Sequence, residues 1–303
     1  MKNHLKVIIN PAAGANSTHR KWPGIQSLLK SLGLAFEFQF TEGRGHGIEI
    51  AREAAGNGYR YLVAVGGDGT IHEVANGILK TANSKITSLG IICTGTGSDL
   101  ARTLNTPHDF NQACQTLTGG KRRVIDMGLV KFVKNGLPSE RYFVNGAGIG
   151  FDATVVSATE KMPKFLGDFS YLLGLLRTFL TYRNRKVTYK IGEKAVETGR
   201  MLSLVVANGR YFGGGMHIAP NARPDDNLFD MVMLGNFGKL ELLRNLSKVY
   251  KGTHVTLPKV RIERGTQVTV ESSQELLVEA DGEILGSGPA TFSLLPSALS
   301  LVV

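Results

Sequence analysis

Asp68 stands in the run Val63-Ala-Val-Gly-Gly-Asp-Gly-Thr-Ile-His-Glu-Val-Ala-Asn-Gly77. A short apolar stretch ends in Gly66-Gly67-Asp68-Gly69-Thr70, and a helix-like pattern follows at once. Glycines let a backbone turn sharply and approach a ligand closely. The N–H groups that open the next helix favour an anion. This has the form of a phosphate cradle, although it is neither Gly-x-x-x-x-Gly-Lys-Ser/Thr nor Gly-x-Gly-x-x-Gly. A carboxylate beside phosphate is repelled unless a cation bridges the two, which makes Asp68 a candidate for a Mg²⁺–polyphosphate network. Its plainer reading is an N-cap for the following helix. Thr70 offers a hydroxyl to phosphate, and Glu73, three residues on, fits either a capping box or a ligand contact.

Two further acidic turns stand out. Gly95-Thr-Gly-Ser-Asp-Leu-Ala-Arg102 follows another apolar run, and its Ser98-Asp99 pair, taken alone, reads as a helix cap. Val278-Glu-Ala-Asp-Gly-Glu-Ile-Leu285 places Asp281-Gly282 between apolar strands, a strong hairpin signal on local grounds.

Taken in order, these segments resemble those of the diacylglycerol kinase catalytic-domain family, which includes bacterial soluble lipid kinases and sphingosine and ceramide kinases. The resemblance spans essentially the whole chain. It implies nucleotide contacts from Thr41, Gly66, Gly67, Asp68, Gly69, Thr70, Ile71, His72, Glu73 and Thr96, with Asp99 and Asp126 as further acids near the metal. Ser98 replaces the family's usual Asn. The Asp-Gly-Glu motif implies that Asp281 is the general base, accepting the proton of an acceptor hydroxyl, with Glu283 in support. The segment Pro220–Asp230 is similar to one in which bacterial members hold a structural Mg²⁺. That implies ligation by the Asp226 side chain and the carbonyls of Arg223 and Leu228, with Asn227 where Gly is usual. The implied activity is ATP-dependent, Mg²⁺-requiring transfer of the γ-phosphoryl group to a lipid hydroxyl, diacylglycerol giving phosphatidate as the first choice. Another lipid alcohol, a soluble acceptor such as NAD, and a non-catalytic nucleotide or lipid sensor stay open as alternatives.

The elements that position these residues alternate early and change texture later. Leu5–Ile9, Ala35–Phe40, Tyr61–Val65 and Leu89–Cys93 read as strands, with helical stretches at Trp22–Leu32, Gly47–Gly56, Ile71–Lys80 and Leu100–Leu104. That order predicts a doubly wound parallel sheet with ligands at the carboxyl ends of its strands. Beyond about residue 125, short strands at regular spacing predict a β-sandwich, interrupted by helical stretches near Phe165–Leu180 and Leu240–Tyr250. The fold class is thus α/β plus β: an N-terminal NAD kinase/diacylglycerol kinase-like domain of residues 1–127 plus 290–303, and a β-sandwich acceptor domain of residues 128–289. The family's last residues return to the first domain, and Ala290–Val303 is expected to do so here. The resemblance also implies a cleft between the domains in which Asp281 meets the phosphate loops.

With 303 residues and a formal charge of +10, the chain suits an anionic membrane, a polyphosphate substrate or nucleic acid. No nucleic-acid motif accompanies the charge. No stretch approaches about 18 consecutive apolar residues, so no transmembrane helix is expected. Only Cys93 and Cys114 occur, without zinc-ligand spacing, and point to a reduced compartment. The expectation is a cytoplasmic enzyme peripheral to an anionic membrane that carries its lipid substrate, with homodimerisation open. Basic residues around the apolar positions of Lys161–Lys186 fit membrane docking, but packing on the sandwich is the preferred reading, because soluble helices usually bury such faces.

Overall fold

The computed structural model describes residues 2–95, 98–160 and 169–303. They form two compact units, Met1–Met127 with Pro296–Val303, and Gly128–Leu295.

The first unit is a parallel sheet with helices. Its strands are β1 (Lys2–Ile9), β2 (Phe36–Phe40), β3 (Tyr59–Gly66) and β4 (Ser88–Cys93). The order is β2-β1-β3-β4, closed by the end of the chain's last strand, where Ser300 and Leu301 pair in parallel with Ser88 and Leu89. Val7, Ile8, Ile9, Leu62, Val63, Ala64 and Val65 are all fully buried. Burial on both faces is why these strands read as unbroken apolar runs rather than alternating ones. Helices α1 (Ala13–Ser31), α2 (His46–Gly56), α3 (Asp68–Leu79), α4 (Asp99–Leu104) and α5 (Phe110–Gly119) complete the unit. Trp22, Ile25 and Leu29 of α1 pack with Val63, Val65 and Ile92. Helices α2 and α3 cross closely, since a Cβ on Gly77 would stand 2.5 Å from that of Ala51. Cys93 and Cys114 are buried free thiols, both pushed up to about 11 by burial.

The second unit is antiparallel. It comprises most of β5 (Arg122–Lys134), then β6 (Leu137–Phe143), β7 (Gly146–Gly150), β8 (Arg185–Ile191), β9 (Glu197–Met201), β10 (Ser203–Ala207), β11 (Phe229–Leu234), β12 (Val260–Gly265), β13 (Gln267–Glu271), β14 (Leu277–Ala280) and most of β15 (Glu283–Val302). One layer runs β12-β11-β10-β7-β14-β15, and a second runs β9-β8-β13 onto the same long β15. Val187, Tyr189, Val268 and Val270 from the second layer share a core with Leu204, Val206, Met231 and Val278 from the first. Phe143 stacks on Phe229 with ring centroids 5.5 Å apart at its centre. The opposite face of β10 is covered as well: Val205 and Ala207 pack with Ile218, Ala219 and Ala222. Helices α6 (Phe151–Glu160), α7 (Phe169–Thr181) and α8 (Lys239–Lys251) lie outside the strands. The helical expectation for Phe165–Leu180 falls partly on residues outside those described.

Candidate active site

In the first unit, the carboxyl ends of β1, β3 and β4 carry turns that touch backbone to backbone. A Cβ on Gly95 would lie 3.0 Å from the Cα of Gly67, and one on Gly14 would lie 2.7 Å from the Thr94 carbonyl oxygen. The amides of Thr94 and Gly95 both donate to the Gly66 carbonyl, at 2.9 and 3.3 Å. The β1 turn passes through three left-handed residues in succession, Gly14 (φ 57°), Ala15 (φ 51°) and Asn16 (φ 66°). Two of these carry a Cβ, and such strain persists only where the surroundings impose it. Here Ser17 Oγ donates to the Thr94 carbonyl at 2.7 Å, and the hydroxyls of Thr18 and Thr94 lie 2.5 Å apart. Sequence reasoning did not assign this turn to the site. The signal was Asn10-Pro-Ala-Ala-Gly14 directly after the first strand.

Asp68 lies in the first turn of α3, yet it does not cap that helix, whose N-cap is Gly67. Its carboxylate instead accepts from the amides of Asp99 (3.0 Å) and Leu100 (3.3 Å), capping α4 from the neighbouring loop. Ser98 is correspondingly not a side-chain cap: it sits in the left-handed region at φ 50°. Glu73 forms no capping box with Thr70. Its carboxylate takes the amides of Gly45 (2.6 Å) and Gly47 (2.9 Å), which fixes the loop after Thr41 and the start of α2. Gly47 has to lack a Cβ, because one would lie 2.5 Å from Glu73 Oε2. His46 accepts the Glu42 amide at Nδ1, a helix-start contact. Ile71 and His72 are buried within α3, and Thr41 lies just past β2, its amide on the Ile9 carbonyl.

The Thr70 hydroxyl is buried and makes no hydrogen bond, directly beneath the space that a Cβ on Gly66 would fill. An orphaned hydroxyl at a helix start beside an open glycine turn fits a phosphate oxygen. Asp99 is buried in α4, and Asp126 in β5 accepts the amide of Ser297 at 2.7 Å, holding the returning end of the chain. Thr96 lies outside the described residues.

In the second unit, Asp281 and Gly282 form a two-residue turn between β14 and β15, with φ of 48° and 81°. Positive φ at both positions is the type I′ geometry that the Asp-Gly signal predicts. The Asp281 carboxylate accepts three backbone amides, from Val144 (2.7 Å), Asn145 (2.9 Å) and Gly146 (2.9 Å). Glu283 pairs with Arg141 at 2.9 Å. Beside them sits a group that sequence reasoning missed. Glu279 is buried and accepts the Gly282 amide at 2.9 Å, which braces the turn from below. Its Oε1 and Asp152 Oδ2 lie 3.2 and 1.6 Å from the point a Gly148 Cβ would occupy, so two carboxyls share one buried pocket. Burial pushes Asp152 up to about 6 and, with the charge of Asp152 second, lifts Glu279 well above its ordinary range. Asp152 as a residue is only half-buried, but its Oδ2 is sealed from solvent and without a hydrogen bond. The side-chain oxygen of Asn145 is likewise buried and unbonded, next to the Asp281 turn.

The expected structural Mg²⁺ site does not fit the ion. The Arg264 guanidinium stands on Asp226 and lies 3.6 Å from Asp230, so a cation from the protein already occupies the position. The other Asp226 oxygen takes the Leu228 amide at 3.2 Å, and Arg223 is 3.8 Å from Asp225. Asn227 does keep the left-handed turn, at φ 62°. Among the described residues, no group of three or more His, Cys, Asp or Glu side chains is placed to hold a metal.

Residues 4–130 match the diacylglycerol kinase catalytic domain, and residues 146–303 match the YegS C-terminal NAD kinase beta sandwich-like domain. The chain belongs to the diacylglycerol kinase catalytic-domain family. It is a kinase, an enzyme that transfers phosphate to an alcohol. Relatives include the diacylglycerol kinases of Bacillus subtilis strain 168, 29% identical over 95% of this chain and 92% of the relative, and of Staphylococcus carnosus TM300, 26% identical over 96% and 92%. A diacylglycerol kinase structure from Bacillus anthracis has the same fold (TM-score 0.74, 22% identity, 99% and 96% coverage). So does, more distantly, an NAD kinase from Archaeoglobus fulgidus solved with ATP (TM-score 0.54, 13% identity, 99% and 93% coverage). Among the described residues, no helix is long and apolar enough to cross a membrane.

Proposed function

We propose that this family member moves the γ-phosphoryl group of ATP to the hydroxyl of diacylglycerol, forming phosphatidate, with Asp281 as general base. The observation that carries the reading is the Asp281 carboxylate, held by three backbone amides on a rigid two-residue turn. Phosphoryl transfer asks little covalent chemistry of a protein; it asks for position and charge neutralisation. A carboxylate fixed in this way accepts the hydroxyl proton without first being ordered. Asn145, with its unbonded amide oxygen, is a further contact for the acceptor, and Glu283, paired with Arg141, supports the turn. On the nucleotide side, the glycine turns and the Thr70 hydroxyl receive the phosphates. Asp68, Asp99 and Asp126 are the carboxylates that would meet the cation of Mg²⁺–ATP, which when bound neutralises phosphate charge. The relatives named diacylglycerol kinase support the acceptor, and the ATP bound by the NAD kinase supports the donor. The reading places the enzyme in the cytoplasm at an anionic membrane surface.

The test is incubation with labelled ATP, Mg²⁺ and diacylglycerol in mixed micelles, beside a total lipid extract. Labelled phosphatidate is expected. A different labelled lipid would replace diacylglycerol with another alcohol. No labelled lipid from any source would overturn the reading in favour of a soluble acceptor.

A further inference from the structure

Helix α8 buries none of its residues. Leu240, Leu243 and Tyr250 are 71%, 59% and 49% exposed, and their spacing places them in one stripe along the helix. Lys239, Arg244 and Lys251 flank the stripe and are exposed too. The Lys239 ammonium donates to the carbonyl of Leu180, which joins the first turn of α8 to the last turn of α7. There Leu176 and Leu180 are 53% and 60% exposed beside an exposed Arg177. Half of the exposed large apolar side chains among the described residues therefore lie on these two helices. Among the described residues of these two helices, the patch is also without a competing acid. Helix α7 has none, and the single acid of α8, Glu241, is taken up by Lys259 at 2.6 Å and by the Gly238 amide.

An apolar stripe edged only by cations has one natural complement. An apolar protein face would strand the cations, and nucleic acid would leave the leucines in contact with water. An anionic bilayer satisfies both, with Leu and Tyr side chains in the headgroup–acyl boundary and Lys and Arg among the phosphates. The chain's net charge of +10 has the same sense. We propose that the α7–α8 edge of the second unit is the surface by which the enzyme docks on an anionic lipid bilayer, an inference that rests on the lipid-acceptor reading above.

Flotation of the full-length protein with vesicles tests it, using phosphatidylcholine alone and phosphatidylcholine mixed with phosphatidylglycerol. The wild type is expected to float only with the mixed vesicles, and less at high salt. Arg244→Gln and Lys251→Gln should each weaken binding about fivefold. Leu240→Ser with Leu243→Ser should weaken it at least about tenfold. All four residues are exposed, so folding survives, and a circular dichroism melt checks it. The leucine variant should phosphorylate a short-chain, water-soluble diacylglycerol at the wild-type rate while losing turnover on vesicle-borne substrate. Equal flotation of wild type and variants, or equal wild-type binding to phosphatidylcholine alone, overturns the proposal. So does a variant that changes oligomeric state without losing vesicle binding, since a second copy would then cover the face. Failure of the underlying reading shows separately, as no labelled product from the wild type even with the short-chain acceptor.

Discussion

Asp152 and Glu279 should contribute stability that falls as pH rises, opposite in sense to ordinary acid denaturation. Burial holds the Asp152 carboxyl at about 6 rather than 3.8 and lifts Glu279 further in the same direction. The folded state thus binds protons that the unfolded chain has released. The stability is fully present below the unfolded value and is lost as pH climbs through the folded one. For Asp152 the shift corresponds to about 3 kcal/mol lost by pH 8, of which about half is already gone at pH 5. Asp152→Asn removes that loss. It keeps an amide oxygen for the Ser203 hydroxyl, which donates to Asp152 Oδ1 at 2.5 Å, at a cost of about 1 kcal/mol for the weaker acceptor. The variant should therefore be about 2 kcal/mol more stable than wild type at pH 8. The difference should shrink by about half of the Asp152 loss on going to pH 5. Burial depresses His217 and His254, which act oppositely near pH 6, but the variant-minus-wild-type difference cancels them. Urea unfolding at both pH values measures the difference, and hydrogen exchange of the β7 and β14 amides assigns it to this unit. Glu279→Gln should move the same way. A difference that is independent of pH, or an Asp152→Asn protein less stable than wild type at pH 8, would refute the linkage.

Three further outcomes follow from the site. Asp281→Asn should lower turnover by about 10²–10⁴ while nucleotide affinity by calorimetry stays within about twofold; retained turnover would remove Asp281 as base. Gly95→Ala sets a Cβ 3.0 Å from the Gly67 Cα and should weaken ATP binding about tenfold by prying the turns apart; unchanged affinity would take these turns out of the nucleotide site. Arg264→Gln should cost about 1–2 kcal/mol at neutral pH, because Asp230, nearly sealed from solvent, loses the neighbouring guanidinium. If wild-type Tm instead rises with Mg²⁺ and falls with chelator, the exclusion of a structural ion at Asp226 is wrong.

Much of the scaffold was legible because its signals are local. The buried parallel strands are unbroken apolar runs, and Asp281-Gly282 adopts the turn that its residue types demand. Other features were illegible because their causes are distant in sequence. Strand β7 is Gly-Ala-Gly-Ile-Gly, poor in intrinsic strand preference. It is a strand because β10 and β14 pair with it on either side, and its glycines are required because a Cβ at Gly146 would strike Phe212 and one at Gly148 would strike Asp152. The cap that Asp68 places on α4 joins residues 31 apart, and no local pattern distinguishes it from a cap on α3. Arg264 reaches Asp226 because β11 and β12 pair Asp230 with Arg264, a register that the sequence does not display. Helix α5 is a different case. Asp109 caps it through the amides of Asn111 and Gln112, a start signal that was readable and was passed over.

Acids that the sequence assigned to the site also carry backbone. Asp68 holds the start of α4, Glu73 the start of α2, Asp126 the amide of Ser297, and Asp281 three amides at the entry to β7. Substitution by Ala would therefore mix two effects. At Asp281 it would leave the Val144, Asn145 and Gly146 amides without that acceptor, and each unsatisfied buried donor costs about 1–3 kcal/mol. Loss of activity in such a variant would follow from collapse of the turn whether or not Asp281 takes a proton. Asn removes the basicity and keeps one acceptor oxygen, although its NH2 group replaces the other, so Asp-to-Asn exchange disturbs the turn less than Ala does and its kinetic effect reports chemistry where the melting temperature is unchanged. Two of these acids separate by role. Both use both oxygens on backbone amides, but Glu73 is given no proton to accept and should respond to Gln in stability alone, whereas Asp281→Asn should lower kcat beyond any loss of stability.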